Sequence, residues 1–348
     1  MQKKENILTD VCIIRPVLIF LLVVYHSFII YQGGWSEPIG FEPNRFYWWI
    51  SKISYSFMLE AFVMISGYVF ALTLQKKNPS FKMVIKDKFK RLIIPSLIFS
   101  LIYYIIFYDH SDFLTFKFFI NILSGCGHMW FLPMLFWATI IGFLFDKIKY
   151  PEWLKLLVLL GCVALSFLPI PFGISSALYY ALYFYVGILI FKHKEYIINK
   201  TCNNLTISTL LGGGFLLLFI FGTLINRDII MAFADNASIL VKAISLLISK
   251  YIIVIYALTG VIFIYVLTNT LLKAKRLVIG NWLKDLNATC FGIYLFQQFI
   301  LQILYYKTSL PAIVGAYWLP WVGLIVTLII SYILTKLSLK TRLGKQLM

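Results

Sequence analysis

The stretch Val11–Tyr31, VCIIRPVLIFLLVVYHSFIIY, decides the fold. As a helix it would run about 30 Å, the thickness of a bilayer's hydrocarbon core. Arg15 and His26 are its only groups that ionise near neutral pH. It is about spanning length, carries Arg15 inside its apolar run and ends in Gly33-Gly34-Trp35 rather than a small-x-small cleavage site. It is therefore expected to stay as a first transmembrane helix and not to be removed as a signal peptide.

Composition extends this reading to the whole chain. Of 348 residues, 61% are hydrophobic, 18% aromatic and only 13% charged. A water-soluble protein of that size has no means of hiding so much apolar surface, whereas lipid solvates it. Hydropathy places spans near 11–31, 47–74, 92–108, 129–146, 152–170, 176–191, 204–225, 250–272, 289–306 and 317–337. The expected fold is all-α, a polytopic integral membrane bundle of about ten transmembrane helices. Residues 1–348 are expected to form one domain, with no soluble domain appended.

The net charge of +17 invites a nucleic-acid reading, which placement removes. With these spans, 22 of the 31 Lys and Arg fall on the side of the N-terminus and 7 on the other, leaving Arg15 and Lys155 in or at helices. Cytoplasmic loops carry such an excess, so both termini are expected in the cytoplasm. The expected macromolecular partner is the lipid bilayer, with no nucleic acid. The five cysteines are scattered without CxxC spacing and the four histidines lie far apart, so no metal site is expected. P-loop, zincin and nucleophile-elbow motifs are absent from the sequence.

Between spans, the basic stretch Gln75–Arg91 suggests a short surface helix, and the Gly- and Pro-rich Gln32–Phe46 an irregular loop. Asp228, Asp235 and Lys242 recur every seven positions, which would suit a helix lying on the outer surface over 228–250. No internal repeat is evident, which argues against a secondary transporter.

Arg15 and His26 carry the most chemistry. Eleven residues of helix advance about 16.5 Å and turn about 1100°, three turns plus about 20°, so an unbroken helix points both to one side at two depths. Pro16 could instead start the helix just after Arg15 and break that alignment. His26 suits a general base, or a histidine hydrogen-bonded within the bundle. Arg15 suits an anion or carbonyl, or a side chain reaching the headgroups. Glu60, in the second span, could orient His26 or merely neutralise Arg15. Ser66 and Gly67 permit close helix packing.

Lys86, Lys88, Lys90 and Arg91 could hold the phosphates of a nucleotide-like donor, or anionic lipid. His128 and Trp130 would sit at an interface, as helix anchors or as a platform for a sugar. Tyr294, Gln297 and Gln298 lie in an apolar helix, where the amides need partners from neighbouring helices or from a polar substrate.

Together these segments resemble the membrane acyltransferase-3 family of bacteria. The resemblance rests on Arg15 with His26, LEAFVMISGYVFAL from Leu59, KRLIIPS with Arg91 and Pro95, HMWFLPML from His128, and FGIYLFQQF from Phe291. These occur in family order over nearly the whole chain. Glu60 stands where Asp is more usual, and Gln297 where many members have His. The resemblance implies an O-acyltransferase of a bacterial plasma membrane, moving an acyl group from cytoplasmic acyl-CoA to a hydroxyl of a surface or lipid-linked glycan. Acetyl is the expected group, as the commonest in the family, and no permanently bound cofactor is implied. In this reading His26 is the base, with Glu60 and Arg15 beside it. Arg15, Arg91, Lys88 and Lys90 meet the donor, while His128, Trp130, Tyr294 and Gln297 meet the acceptor. The rival classes are an exporter of polysaccharide or lipid-linked sugar without catalysis, and a scaffold in which Arg15–Glu60 is a packing salt bridge.

Overall fold

The structure is a computed structural model; it describes residues 8–232 and 238–347, with side chains at all of these but 227–232. Its helices are α1 (Thr9–Phe28), α2 (Arg45–Tyr55), α3 (Met58–Lys77), α4 (Phe81–Lys88), α5 (Ile94–Phe107), α6 (Phe116–Ser124), α7 (Phe131–Lys147) and α8 (Glu152–Leu165). They continue as α9 (Ile174–Lys192), α10 (Lys194–Thr201), α11 (Leu205–Ala232), α12 (Ile239–Lys273), α13 (Asn281–Tyr306), α14 (Leu310–Ser338) and α15 (Arg342–Leu347). No strand occurs among the described residues. Nine helical stretches among them are long and apolar enough to cross a membrane, and the protein is a multi-pass membrane protein.

Nine of the ten expected spans match these stretches. The tenth, expected at 152–170, is α8, a helix of 14 residues. At 1.5 Å per residue it reaches about 21 Å, short of a full crossing by itself.

Four local expectations change. α1 begins at Thr9 and runs through Pro16, so Arg15 lies inside regular helix. The second span is not continuous, because α2 ends at Tyr55 and α3 restarts at Met58. Ser54 Oγ donates to Ile50 O and Ser56 Oγ to Ile53 O, both at 2.7 Å, a local bonding that bends helices. The basic stretch does form a helix, α4, but a π turn over Phe89–Ile93 joins it to α5 instead of leaving it as a separate surface helix. Pro95 explains the turn: it has no N–H for the Arg91 carbonyl four residues back, and its ring crowds that carbonyl. Finally, Ile239–Lys273 is one helix of 35 residues, so 239–250 continues the eighth span rather than lying apart from it. Residues 233–237 of that expected surface helix lie outside the described residues.

The chain divides into two compact units. The first comprises Met1–Glu37, Phe41–Phe62 and His193–Cys290; the second Pro38–Gly40, Val63–Lys192 and Phe291–Met348. In the first, α1 packs on α2 and α12, and α11 lies along α12. Gly260 of α12 lets Phe57 approach, since a Cβ there would fall 2.7 Å from the Phe57 ring. Asp10, fully buried, accepts from Lys194 Nζ at 3.0 Å and ties α10 to the start of α1.

In the second unit, α9 packs on α7 and α8. Glycines set its contact with α3: a Cβ on Gly67 would lie 1.9 Å from Phe184 O, and one on Gly187 2.0 Å from Met64 O. This reciprocal backbone approach is what small residues allow in membrane bundles. An ionic cluster fastens the start of α8. Lys192 Nζ is 2.8 Å from Asp146 and 3.7 Å from Glu152, Lys155 Nζ is 3.6 Å from Glu152, and Tyr185 Oη donates to Glu152.

Candidate functional site

The first unit brings together most of the opening helix's chemistry. α1 carries Arg15 in its second turn and His26 in its last, on one unbroken helix, so the one-sided alignment holds over about 16.5 Å. His26 is buried, and the Trp35 ring lies parallel to it with centroids 5.8 Å apart. Tyr25 tilts against the imidazole at 5.0 Å and stacks on Tyr55 at 4.1 Å. Trp35 reaches this position because the chain reverses at a glycine pair. Gly33 has φ +72°, a left-handed conformation, and a Cβ on Gly34 would sit 2.5 Å from the Ile29 side chain. Sequence reasoning noticed the GGW triplet but gave Trp35 no role; the glycines were the available signal.

Glu60 is buried in the first turn of α3. Because the second span restarts just before it, the carboxylate sits at a helix N-terminus, where the macrodipole favours negative charge. Lys250 and Tyr256 of α12 lie within electrostatic reach of it. Lys250 went unassigned in the sequence because it was expected at the outer surface, where the 228–250 helix would meet the eighth span.

Arg15 does not pair with Glu60, which corrects one of the two expected roles for that carboxylate. Half-buried, Arg15 makes no ion pair or hydrogen bond with any described residue. Its electrostatic neighbours are the thiols of Cys12 and Cys290. Such a guanidinium keeps all five donors for a ligand or water.

The remaining expected residues belong to the second unit. Arg91 lies in the π turn and pairs with Asp87 at 3.1 Å, both well exposed. An exposed i,i+4 pair of this kind is worth only about 0.3–0.5 kcal/mol, so it yields easily to a competing anion. Lys88 lies 5.4 Å over the Phe70 ring, and Lys90 is exposed. His128 and Tyr294 meet in a reciprocal clasp. Tyr294 Oη donates to His128 O at 2.7 Å, while His128 Nε2 is 3.1 Å from Leu295 O. Gln298 Nε2 donates to Tyr103 Oη at 3.0 Å, and Gln297 is fully buried. Trp130 is half-buried and tilts against Tyr180 at 6.2 Å. Of the expected acceptor residues, the structure joins His128 with Tyr294 and keeps Trp130 half-buried beside Phe131 and Tyr180. No group of three or more metal-ligating side chains occurs among the described residues.

No curated protein and no solved structure matches the chain. The family model described as an acyltransferase domain matches residues 10–336. The chain therefore belongs to the acyltransferase-3 family.

Proposed function

We propose that this membrane acyltransferase moves an acyl group, acetyl in the first instance, from cytoplasmic acyl-CoA to a hydroxyl of a cell-surface or lipid-linked glycan. Its home in this reading is a bacterial plasma membrane, with both termini in the cytoplasm. The observation that carries the reading is Arg15 and His26 on one continuous helix, with no acid among the described residues paired to the guanidinium.

His26 removes the acceptor hydroxyl proton as that oxygen attacks the thioester carbonyl. An oxygen–carbon bond forms, the carbon–sulfur bond breaks, and coenzyme A leaves as a thiolate that takes up the proton. General-base assistance of this type is worth roughly 10²–10⁴ in rate. Glu60 stabilises the imidazolium that forms, and Arg15 engages the donor's carbonyl or phosphate oxygens. Arg91, Lys88 and Lys90 contribute to phosphate binding. His128, Trp130, Tyr294 and Gln297 are assigned to the acceptor, with the half-buried Trp130 as the stacking residue.

A break such as that at Ser56–Phe57 would also suit an exporter, but the family match over 10–336 supports acyl transfer. Purified protein in detergent should bind acetyl-CoA saturably and lose that binding on Arg15→Ala or Arg91→Ala. Wild-type protein with no saturable binding would overturn the proposal.

A further inference from the structure

Around Arg15, the faces of α1 and α13 meet with two polar groups left over. Cys12 and Arg15 are three residues apart on α1, and Lys284, Asn287 and Cys290 three apart on α13, so each set shares a helix face. Asn287 Nδ2 lies 3.7 Å from Cys12 Sγ, and Arg15 is within electrostatic reach of both thiols. Thiols are weak hydrogen-bonding groups, so they satisfy neither neighbour. Asn287 Oδ1 is buried with no hydrogen-bond partner among the described residues, and the half-buried Arg15 makes no ion pair with any of them. Exchanging the amide's oxygen and nitrogen would leave the other atom unpaired, so the deficit does not depend on that assignment.

A buried amide atom left unsatisfied is costly unless something else pairs with it, and the Arg15 guanidinium keeps its donors for the same partner. A ligand that answers both must present an oxygen to Arg15 and a complementary polar atom to Asn287, between soft, weakly polar thiols. A phosphate answers the guanidinium but repels a carbonyl oxygen. A secondary amide on a slender alkyl chain answers both, with its C=O toward Arg15 and its N–H toward Asn287.

We propose that Asn287, together with Arg15, holds the amide-bearing pantetheine arm of the donor thioester; this rests on the acyl-CoA reading above. Asn287 is a positioning residue, fixing where along the slot the thioester carbon comes to rest. Lys284, exposed one turn earlier on the same face, has its charge within reach of Cys12. That places positive charge at the entrance, where the donor's phosphates remain hydrated.

The test is competition against labelled acetyl-CoA on the purified full chain. The two competitors are pantetheine and adenosine 3′,5′-bisphosphate, which are the two halves of the carrier. In Asn287→Leu the inhibition constant for pantetheine should rise about tenfold or more, the worth of one buried hydrogen bond, while that for the nucleotide half stays within twofold. Asn287→Asp keeps the size of the side chain and gives Arg15 a counter-charge. It should raise the thermal midpoint in detergent while weakening pantetheine, which keeps the test alive if the Leu variant fails to fold. Equal losses for both halves, no loss for either, or failure of pantetheine to compete on wild-type protein would each overturn the inference while leaving acetyl-CoA binding intact. Wild-type protein that does not bind acetyl-CoA sinks the proposed function instead.

Discussion

Replacing Arg15 by Met separates a guanidinium kept for a ligand from one that holds the bundle together. Arg15 lies six residues into α1, about 9 Å from its start, half-buried and with no ion pair or hydrogen bond among the described residues. Removing one partner of a buried salt bridge costs roughly 3–5 kcal/mol. Here no such bridge exists to break, and an arginine at mid-membrane itself costs roughly 2.5–3.5 kcal/mol on insertion scales. Part of that cost applies at this shallower, half-exposed position. Arg15→Met should therefore leave stability unchanged or raise it by about 1 kcal/mol. Donor affinity should move the other way. Hydrogen bonds to a charged group are worth about 1.5–3 kcal/mol, a loss of roughly 10- to 150-fold in Kd for acetyl-CoA. Thermal unfolding in one detergent, alongside titration with acetyl-CoA, reads both quantities. A midpoint lowered by several degrees with an unchanged Kd would mean that Arg15 holds the bundle together, as in a scaffold.

Three further outcomes bear on the fold and on topology. Gly67→Ala or Gly187→Ala should cost at least about 3 kcal/mol and depress folded yield, because each Cβ would meet a backbone carbonyl at 2.0 Å or less. Gly214→Ala, with nothing within 4 Å, should gain up to about 1 kcal/mol by helix propensity; equal effects at all three would contradict the packing described. Glu152→Gln leaves Lys155, only 6% exposed at its side chain, without its acid. It should destabilise by about 2 kcal/mol, discounted because Glu152 is half-exposed, and adding Lys155→Met should recover most of this in thermal unfolding. Reporter fusions after Lys149 and after Phe172 should report opposite faces of the membrane if α8 crosses, as the charge asymmetry requires; the same face would leave nine crossings and place the termini apart.

What could be read in advance followed from local physics. The apolar runs fix where helices exist, because lipid demands internally bonded backbone over a set length. Arg91 with Pro95 four residues on contained the π turn, since proline's missing N–H acts at a known distance along the chain. The Gly33-Gly34 pair contained the reversal that brings Trp35 onto His26. The break at Ser56–Phe57 was harder to see. It depends on Ser54 and Ser56 turning back on their own helix, a choice that residue identity alone does not fix. The continuity of α12 was misread because Asp235 and Lys242 suggested a surface helix by spacing alone. Partners distant in sequence were not legible. Nothing in Cys12 and Arg15 announces Asn287 and Cys290, and nothing in Gly67 announces Phe184. Such pairings are settled by packing between helices, not by periodicity within one.

In the proposed reaction the imidazole of α1 takes the proton of the acceptor hydroxyl. Membranes carrying the native acceptor should be supplied with acetyl-labelled acetyl-CoA, and alkali-labile label counted in the glycan for wild type and His26→Ala. The variant should bind acetyl-CoA as tightly as wild type yet transfer no label. Transfer at the wild-type rate by His26→Ala would contradict that role.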